Sequence, residues 1–246
     1  MTDISPVLSL KNIHKAFGGL IAIQDFSLDL FQSKIVALVG DNGAGKSTVI
    51  KIISGIYRPT SGDIKLEGET VSFSDASSSR SKGIEVVHQD LALVDEQPVY
   101  MNMFLGQELV KKPFGLLDKV RMRQESQNLV DALDVRIPSA NSTIRDLSGG
   151  QRQGIAIARA VHWASKLILL DEPTAALGVA ETAKVEELVA SLRARKLAIL
   201  LISHSLDQVF RLSDQICVLR RGQQIGIRET HATDKNEIIS MITGVN

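Results

Sequence analysis

Hydrophobic residues change their spacing several times along the chain, and each change marks an element. Val7, Leu8, Leu10 and Ile13, then Ile21, Ile23, Phe26, Leu28 and Leu30, alternate with polar residues as half-buried antiparallel strands do. Residues 35–39 are apolar without interruption, which predicts a buried strand, and from Ser47 the spacing of Val49, Ile50, Ile52 and Ile53 becomes helical. Turn chemistry at 58–62 (Arg-Pro-Thr-Ser-Gly) precedes two short runs, 63–66 and 71–73, that read as a hairpin. An antiparallel β sheet is therefore expected beside the core built around 35–56. The serine-rich stretch 75–82 reads as a loop or a short exposed helix ending at Gly83. Further buried strands are expected at 84–87, 167–170 and 197–202.

From 91 to 163 strand-like runs give way to helical ones. Met122, Leu129, Val130 and Leu133 share one face of a helix capped near Asp118, and Pro98, Pro113 and Pro138 punctuate the connections. The apolar cluster Leu91, Leu93, Val94, Val99, Tyr100, Met101, Met103 and Phe104 reads mainly as core, although its methionines would also suit an adaptable partner surface. Later, Val185, Leu188, Val189 and Leu192 mark an amphipathic helix, with Glu181, Glu186 and Glu187 early and Arg193, Arg195 and Lys196 late, as the helix dipole favours. Residues 216–219 and 224–227 flank Arg221-Gly222 as a hairpin, and 233–242 is a closing helix with Asp234 and Glu237 at capping-box spacing. The expected organisation is a single α/β domain over 1–246. Residues 1–90 and 164–246 form the core with its antiparallel β subdomain, and 91–163 form an inserted helical subdomain.

Composition narrows the function. The chain has 246 residues, enough for a large core, and its 28 Lys plus Arg balance 28 Asp plus Glu, so charge does not point to nucleic acid. No apolar run approaches the roughly 18 residues of a membrane span. The start, MTDISPVLSL, lacks the basic and apolar regions of a signal peptide, and a cytosolic chain is expected. Cys217, within an apolar run, reads as a small core residue.

Between the strand at 35–39 and its following helix lies Gly40-x4-Gly45-Lys46-Ser47, a phosphate-binding P-loop that also contains Asn42 and Gly43. Glycines let backbone N–H groups close round a phosphate, and the helix points its positive end at the same place. Lys46 is expected at the β- and γ-phosphates, Ser47 at Mg2+ and Thr48 at the α-phosphate end. Ser148, ahead of Gly149, Gly150 and Gln151, is a natural N-cap, so these residues form a second phosphate-ready helix start. Asp171 and Glu172 follow a strand, where adjacent side chains point in opposite directions and can take separate roles. Phe17 can stack on an adenine ring or serve as core. Gln89, at the end of a strand, can bond a metal-bound water or be an ordinary loop residue.

The order of P-loop, Gln89, Leu-Ser-Gly-Gly-Gln at 147–151, Asp171-Glu172 and His204 resembles the ATP-binding cassette family over nearly the whole chain. That resemblance implies a P-loop NTPase (RecA-like) core that binds ATP and Mg2+. It implies that Asp171 holds Mg2+ through water, with Ser47 and Gln89 also near the metal. Glu172 would be the general base, His204 the switch histidine at the γ-phosphate, and Lys46 and Gln89 further catalytic groups. The signature helix of one copy would close over the P-loop of another. The segments at 174–179 (Thr-Ala-Ala-Leu-Gly-Val) and 83–94 further resemble ATPases of bacterial ribose, xylose and fructose importers. With one copy of each motif, the chain would pair with itself, serve a separate transmembrane permease on the inner face of the membrane, and depend indirectly on a secreted sugar-binding protein. The alternatives are a soluble cassette, such as a cluster-assembly scaffold, and an exporter cassette. Gly178 departs from the family pattern, which commonly has an aspartate there that communicates across the dimer.

Overall fold

A computed structural model describes residues 5–245, so the first four residues of the start discussed above lie outside it. The chain opens with β1 (Leu8–Phe17) and β2 (Leu20–Leu30), followed by β3 (Ile35–Val39) and α1 (Lys46–Ile53). The step from Leu10 to Ile13 breaks the two-residue period. A bulge between them, with Asn12 at φ +49° and its N–H on Ser27 Oγ (2.8 Å), turns Ile13 back into the core. Next come β4 (Ser61–Leu66), β5 (Glu69–Val71), α2 (Ala76–Ser81) and β6 (Ile84–Val87). Asp75 caps α2 through a capping box with Ser78.

Helices α3 (Val99–Met103) and α4 (Lys119–Ala132) follow, separated by a small hairpin of β7 (Val110–Lys111) and β8 (Leu116–Leu117). The sequence carries no strand pattern here, because two-residue strands are too short to establish a period. The apolar cluster before it divides: Val99, Tyr100, Met103 and Phe104 are buried, whereas Val94 is exposed. Asn102, also buried, accepts from Val94 N at 2.7 Å and donates to the carbonyls of Val94, Gln97 and Pro98. That side chain closes a turn the backbone alone leaves open.

After α5 (Gly149–Trp163) come β9 (Leu167–Asp171), α6 (Val179–Ser191), β10 (Ala198–Ile202), α7 (Leu206–Leu212), β11 (Gln215–Arg220), β12 (Gln223–Glu229) and α8 (Lys235–Thr243). Ser205 caps α7, a helix absent from the sequence reading, by accepting from Gln208 N. Asp234 caps α8 through Glu237 N at 2.9 Å.

Among the described residues ten strands form one sheet in the order β5-β4-β1-β2-β12-β11-β3-β10-β9-β6. β3 pairs in parallel with β10 and β11, and β10 with β9. The expected antiparallel strands lie beside this core and continue its sheet. A parallel bridge between Gln24 and Gln223 joins the two, supported by Gln24 N on Gly222 O (2.8 Å) and Ser27 N on Gln224 Oε1 (3.0 Å). Joining them pairs backbone groups that two separate edges would leave open.

Two compact units emerge. The first contains the sheet through Val86 together with Ala164–Glu172 and the chain from Leu192 onward; the second comprises Val87–Trp163 and Pro173–Ser191. In the first, Phe26, Leu38, Ile50, Leu200 and Cys217 belong to one buried cluster. Burial pushes the Cys217 thiol up to about 12, as expected of a core residue without redox work. Leu200→Ala, in a fully buried position on β10, should cost about 2–5 kcal/mol of unfolding free energy, measurable as a lower urea midpoint at unchanged slope.

Candidate nucleotide site

The loop at 40–45 is shaped by where its glycines must sit. Gly40 has φ +155°, and a Cβ there would stand 2.1 Å from Leu219 O. Gly45, at φ +110°, passes so close to β2 that a Cβ would lie 2.8 Å from Ala22 O. Gly45 is also the N-cap of α1 and brings no side-chain oxygen, so no side chain competes for the helix's first N–H groups. Those donors and the helix dipole suit an anion. Lys46 is only 6% exposed. Its ammonium donates to Gly40 O (2.7 Å) and Asp41 O (3.0 Å), holding the loop closed. Burial pushes its pKa down, opposed by the charges of Glu172, Asp171 and Asp41. Asn42, Gly43 and Ser47 are exposed, and Thr48 is half-buried.

β9 delivers the two carboxylates. Asp171 ends the strand in register with Ile202 of β10, and Glu172 N donates to Ile202 O at 3.0 Å. Glu172 then takes φ +51°, a left-handed conformation that costs a non-glycine residue on the order of 1 kcal/mol. His204, after β10, donates from Nε2 to Glu172 Oε1 at 2.8 Å, while the Glu172 side chain keeps 20% of its surface exposed. Lys46, Asp171, Glu172 and His204 thus gather at the carboxyl ends of parallel strands, where open α/β sheets bind ligands. Phe17 is 42% exposed and edge-on to Tyr57, with ring centroids 5.0 Å apart and Lys15 Nζ 4.9 Å above its ring. Tyr57 took no part in the sequence reading; nothing local marked a residue 40 positions away as its partner.

Gln89 and the Leu147–Gln151 stretch belong to the second unit. Gln89 is exposed on the turn after β6. At the start of α5, Ser148 Oγ accepts from Gln151 N (3.3 Å) while Gln151 Oε1 accepts from Ser148 N (2.9 Å), a complete capping box. Gln151 Nε2 also donates to Arg136 O at 2.7 Å. Glu181, read in the sequence only as an early acid of its helix, accepts from Gly150 N at 3.2 Å and from Gly178 N at 3.4 Å. These two amides and the Ser148 hydroxyl hold its carboxyl below the usual carboxylate range.

Among the described residues no three His, Cys, Asp or Glu side chains gather as a metal cage. Mg2+ is usually held by one or two protein oxygens together with substrate phosphates. Ser47, exposed on the first turn of α1, and Asp171, near Lys46, fit that donor set.

A sheet with a parallel centre, a glycine loop leading into α1, and a carboxylate pair and a histidine at the ends of neighbouring strands define a P-loop NTPase. The chain belongs to the ABC transporter family, whose profile matches residues 23–175. It is 45% identical over 240 residues to a xylose/arabinose import ATP-binding protein of Sulfolobus acidocaldarius, covering 98% of this chain and 95% of that one. A fructose import ATP-binding protein of Rhizobium meliloti is 39% identical, with 97% and 94% covered. A ribose import ATP-binding protein of Jannaschia sp. is 38% identical over 97% of this chain but 46% of its own length. The fold matches a nucleotide-free ATP-binding cassette crystal structure with a TM-score of 0.82 at 23% identity, covering 97% and 95% of the two chains.

Proposed function

We propose that this chain is the ATP-hydrolysing subunit of an ABC importer that takes up a monosaccharide through a separate membrane permease. The observation that carries the reading is identity at 45% to a sugar import ATP-binding protein over 98% of this chain and 95% of that one, so the likeness is not confined to the shared ATPase motifs. Two copies work together, each presenting the start of its α5 helix to the ATP held by the other's P-loop. The P-loop amides and Lys46 hold the phosphates, Ser47 and Asp171 serve Mg2+, and Phe17 offers its exposed ring to the adenine. Mg2+, when bound, neutralises charge on the phosphate oxygens. Glu172 accepts the proton of the attacking water, oriented by His204.

Among the described residues no helix is long and apolar enough to cross a membrane. In the proposed reading the chain works on the inner face of the membrane through its permease, with a secreted sugar-binding protein as the indirect partner. The deciding experiment is ATPase activity in vesicles that contain the chain and its candidate permease, with binding protein loaded with one monosaccharide after another. Stimulation by one loaded sugar is expected; hydrolysis indifferent to every sugar and permease would remove the import reading. Ser148→Arg tests the pairing: it should leave ATP binding by the single chain intact while abolishing ATP-dependent dimers in size-exclusion chromatography. Dimers that persist in that variant would contradict the role given to α5.

A further inference from the structure

The start of α5 is already engaged by an anion from within its own unit. Glu181 Oε1 accepts from Gly150 N at 3.2 Å, Oε2 from Gly178 N at 3.4 Å, and the Ser148 hydroxyl also bonds the carboxylate. Its side chain lies flat on the glycine: a Cβ on Gly150 would meet Glu181 Cβ, Cγ and Cδ at 3.0, 3.1 and 3.3 Å. Helix architecture explains one of these contacts. Glu181 stands three residues after Gly178, and its bond to Gly178 N is the reach-back half of a capping box on α6. It does not explain why the other oxygen turns to a helix start 31 positions earlier.

We propose that Glu181 is an internal stand-in for phosphate, covering Gly150 N–H and the Ser148 hydroxyl in the nucleotide-free chain and leaving them when a second copy presents ATP. The inference rests on the paired-copy reading above. Two anions cannot share these donors, since like charges a few ångströms apart repel. Both amide contacts are near the long limit for N–H···O bonds, so the carboxylate is held firmly enough to occupy the site and loosely enough to be displaced. A cleft of about 590 Å³, lined by Ser148, Gly150, Gln151, Glu181, Lys184 and Glu187 among others, gives the side chain room to move, and Lys184 offers it a cation one turn along α6. The consequence is a threshold: phosphate must outcompete a tethered carboxylate before the pair closes, so closure is suppressed at low ATP.

Glu181→Ala and Glu181→Gln, each in a Glu172→Gln background that retains ATP, test this through the ATP concentration giving half-maximal dimer in analytical ultracentrifugation. Both should lower that concentration by about fivefold or more. If Glu181 merely props up the helix start, the alanine variant will instead raise it and the glutamine variant will restore the parent value, which overturns the proposal. Amide hydrogen exchange at Gly150 in the nucleotide-free chain, followed by NMR, provides a readout that needs no dimer. Faster exchange is expected in the alanine variant, and unchanged exchange overturns the contact itself. Should Glu172→Gln alone form no ATP-dependent dimer while Gly150 exchange does respond to Glu181, the paired-copy reading falls, and the stand-in role falls with it, though the contact stands.

Discussion

Glu172→Gln should lower ATP turnover by about 10²- to 10⁴-fold, the usual contribution of a positioned general base. ATP affinity should change little. The amide has nearly the shape of the carboxylate, and its oxygen can still accept from His204 Nε2, so the 2.8 Å pairing and the backbone bond to Ile202 O can both persist. What disappears is a proton acceptor. The left-handed backbone at Glu172 sharpens the expectation, because φ +51° is strained in a non-glycine residue whatever the side chain, and the neighbouring strands enforce it. Such strain is retained where it aims a group, and here the carboxylate meets His204 Nε2 at 2.8 Å. In the proposed cycle closure precedes hydrolysis, so the variant should also accumulate as an ATP-bound dimer. Single-turnover hydrolysis and sedimentation in ATP check the two halves together. Normal turnover would take Glu172 out of the base role.

His204 then has a narrower task than a second base. On the proposed reading it donates to Oε1, which orients the carboxylate while leaving Oε2 to take the water's proton.

What the sequence made legible follows from the range of the interactions involved. The strand–loop–helix of 35–53 was readable because its signals are local: an unbroken apolar run, glycines at fixed spacing, then helical periodicity. Asp171, Glu172 and His204 were readable as strand-end residues for the same reason. That Glu172 and His204 touch was not, because it depends on β9 and β10 being neighbours, and strand order is a long-range property. The joining of the two halves of the sheet escaped the reading likewise. It rests on the bridge of Gln24 with Gln223 and the few hydrogen bonds beside it, among polar residues with no local pattern to mark them. Helix α7, only Leu206–Leu212, is too short for its spacing to stand out, though Ser205 is an ordinary cap signal. Glu181 is the case with most functional weight. On its own helix it looks like any acid in a first turn, and only the packing of α6 against α5 shows that its carboxylate rests on Gly150.

Lys46→Ala should weaken ATP binding by about 30-fold or more, since truncating one partner of a buried charge pair costs about 2–5 kcal/mol. The ammonium is buried and already closes the loop through Gly40 O and Asp41 O, so it meets the nucleotide in place rather than being recruited from solvent. Its lowered pKa separates lost binding from lost folding. A lysine whose folded pKa lies below its unfolded value binds its proton less well when folded, so at neutral pH its charge costs stability. That cost diminishes as pH rises toward 10.5, where the unfolded lysine also loses its proton. Removing the group should therefore leave the melting temperature of the nucleotide-free chain nearly unchanged at pH 7, while the upward shift that ATP gives the parent chain should vanish. Lys46→Arg should fare little better, since a guanidinium is wider and cannot occupy a site with 6% exposure without opening the loop. Calorimetric titration with a slowly hydrolysed ATP analogue, beside thermal melts with and without it, reads both effects. Parent-like affinity in the alanine variant would detach the loop at 40–47 from phosphate binding and with it the nucleotide site as drawn.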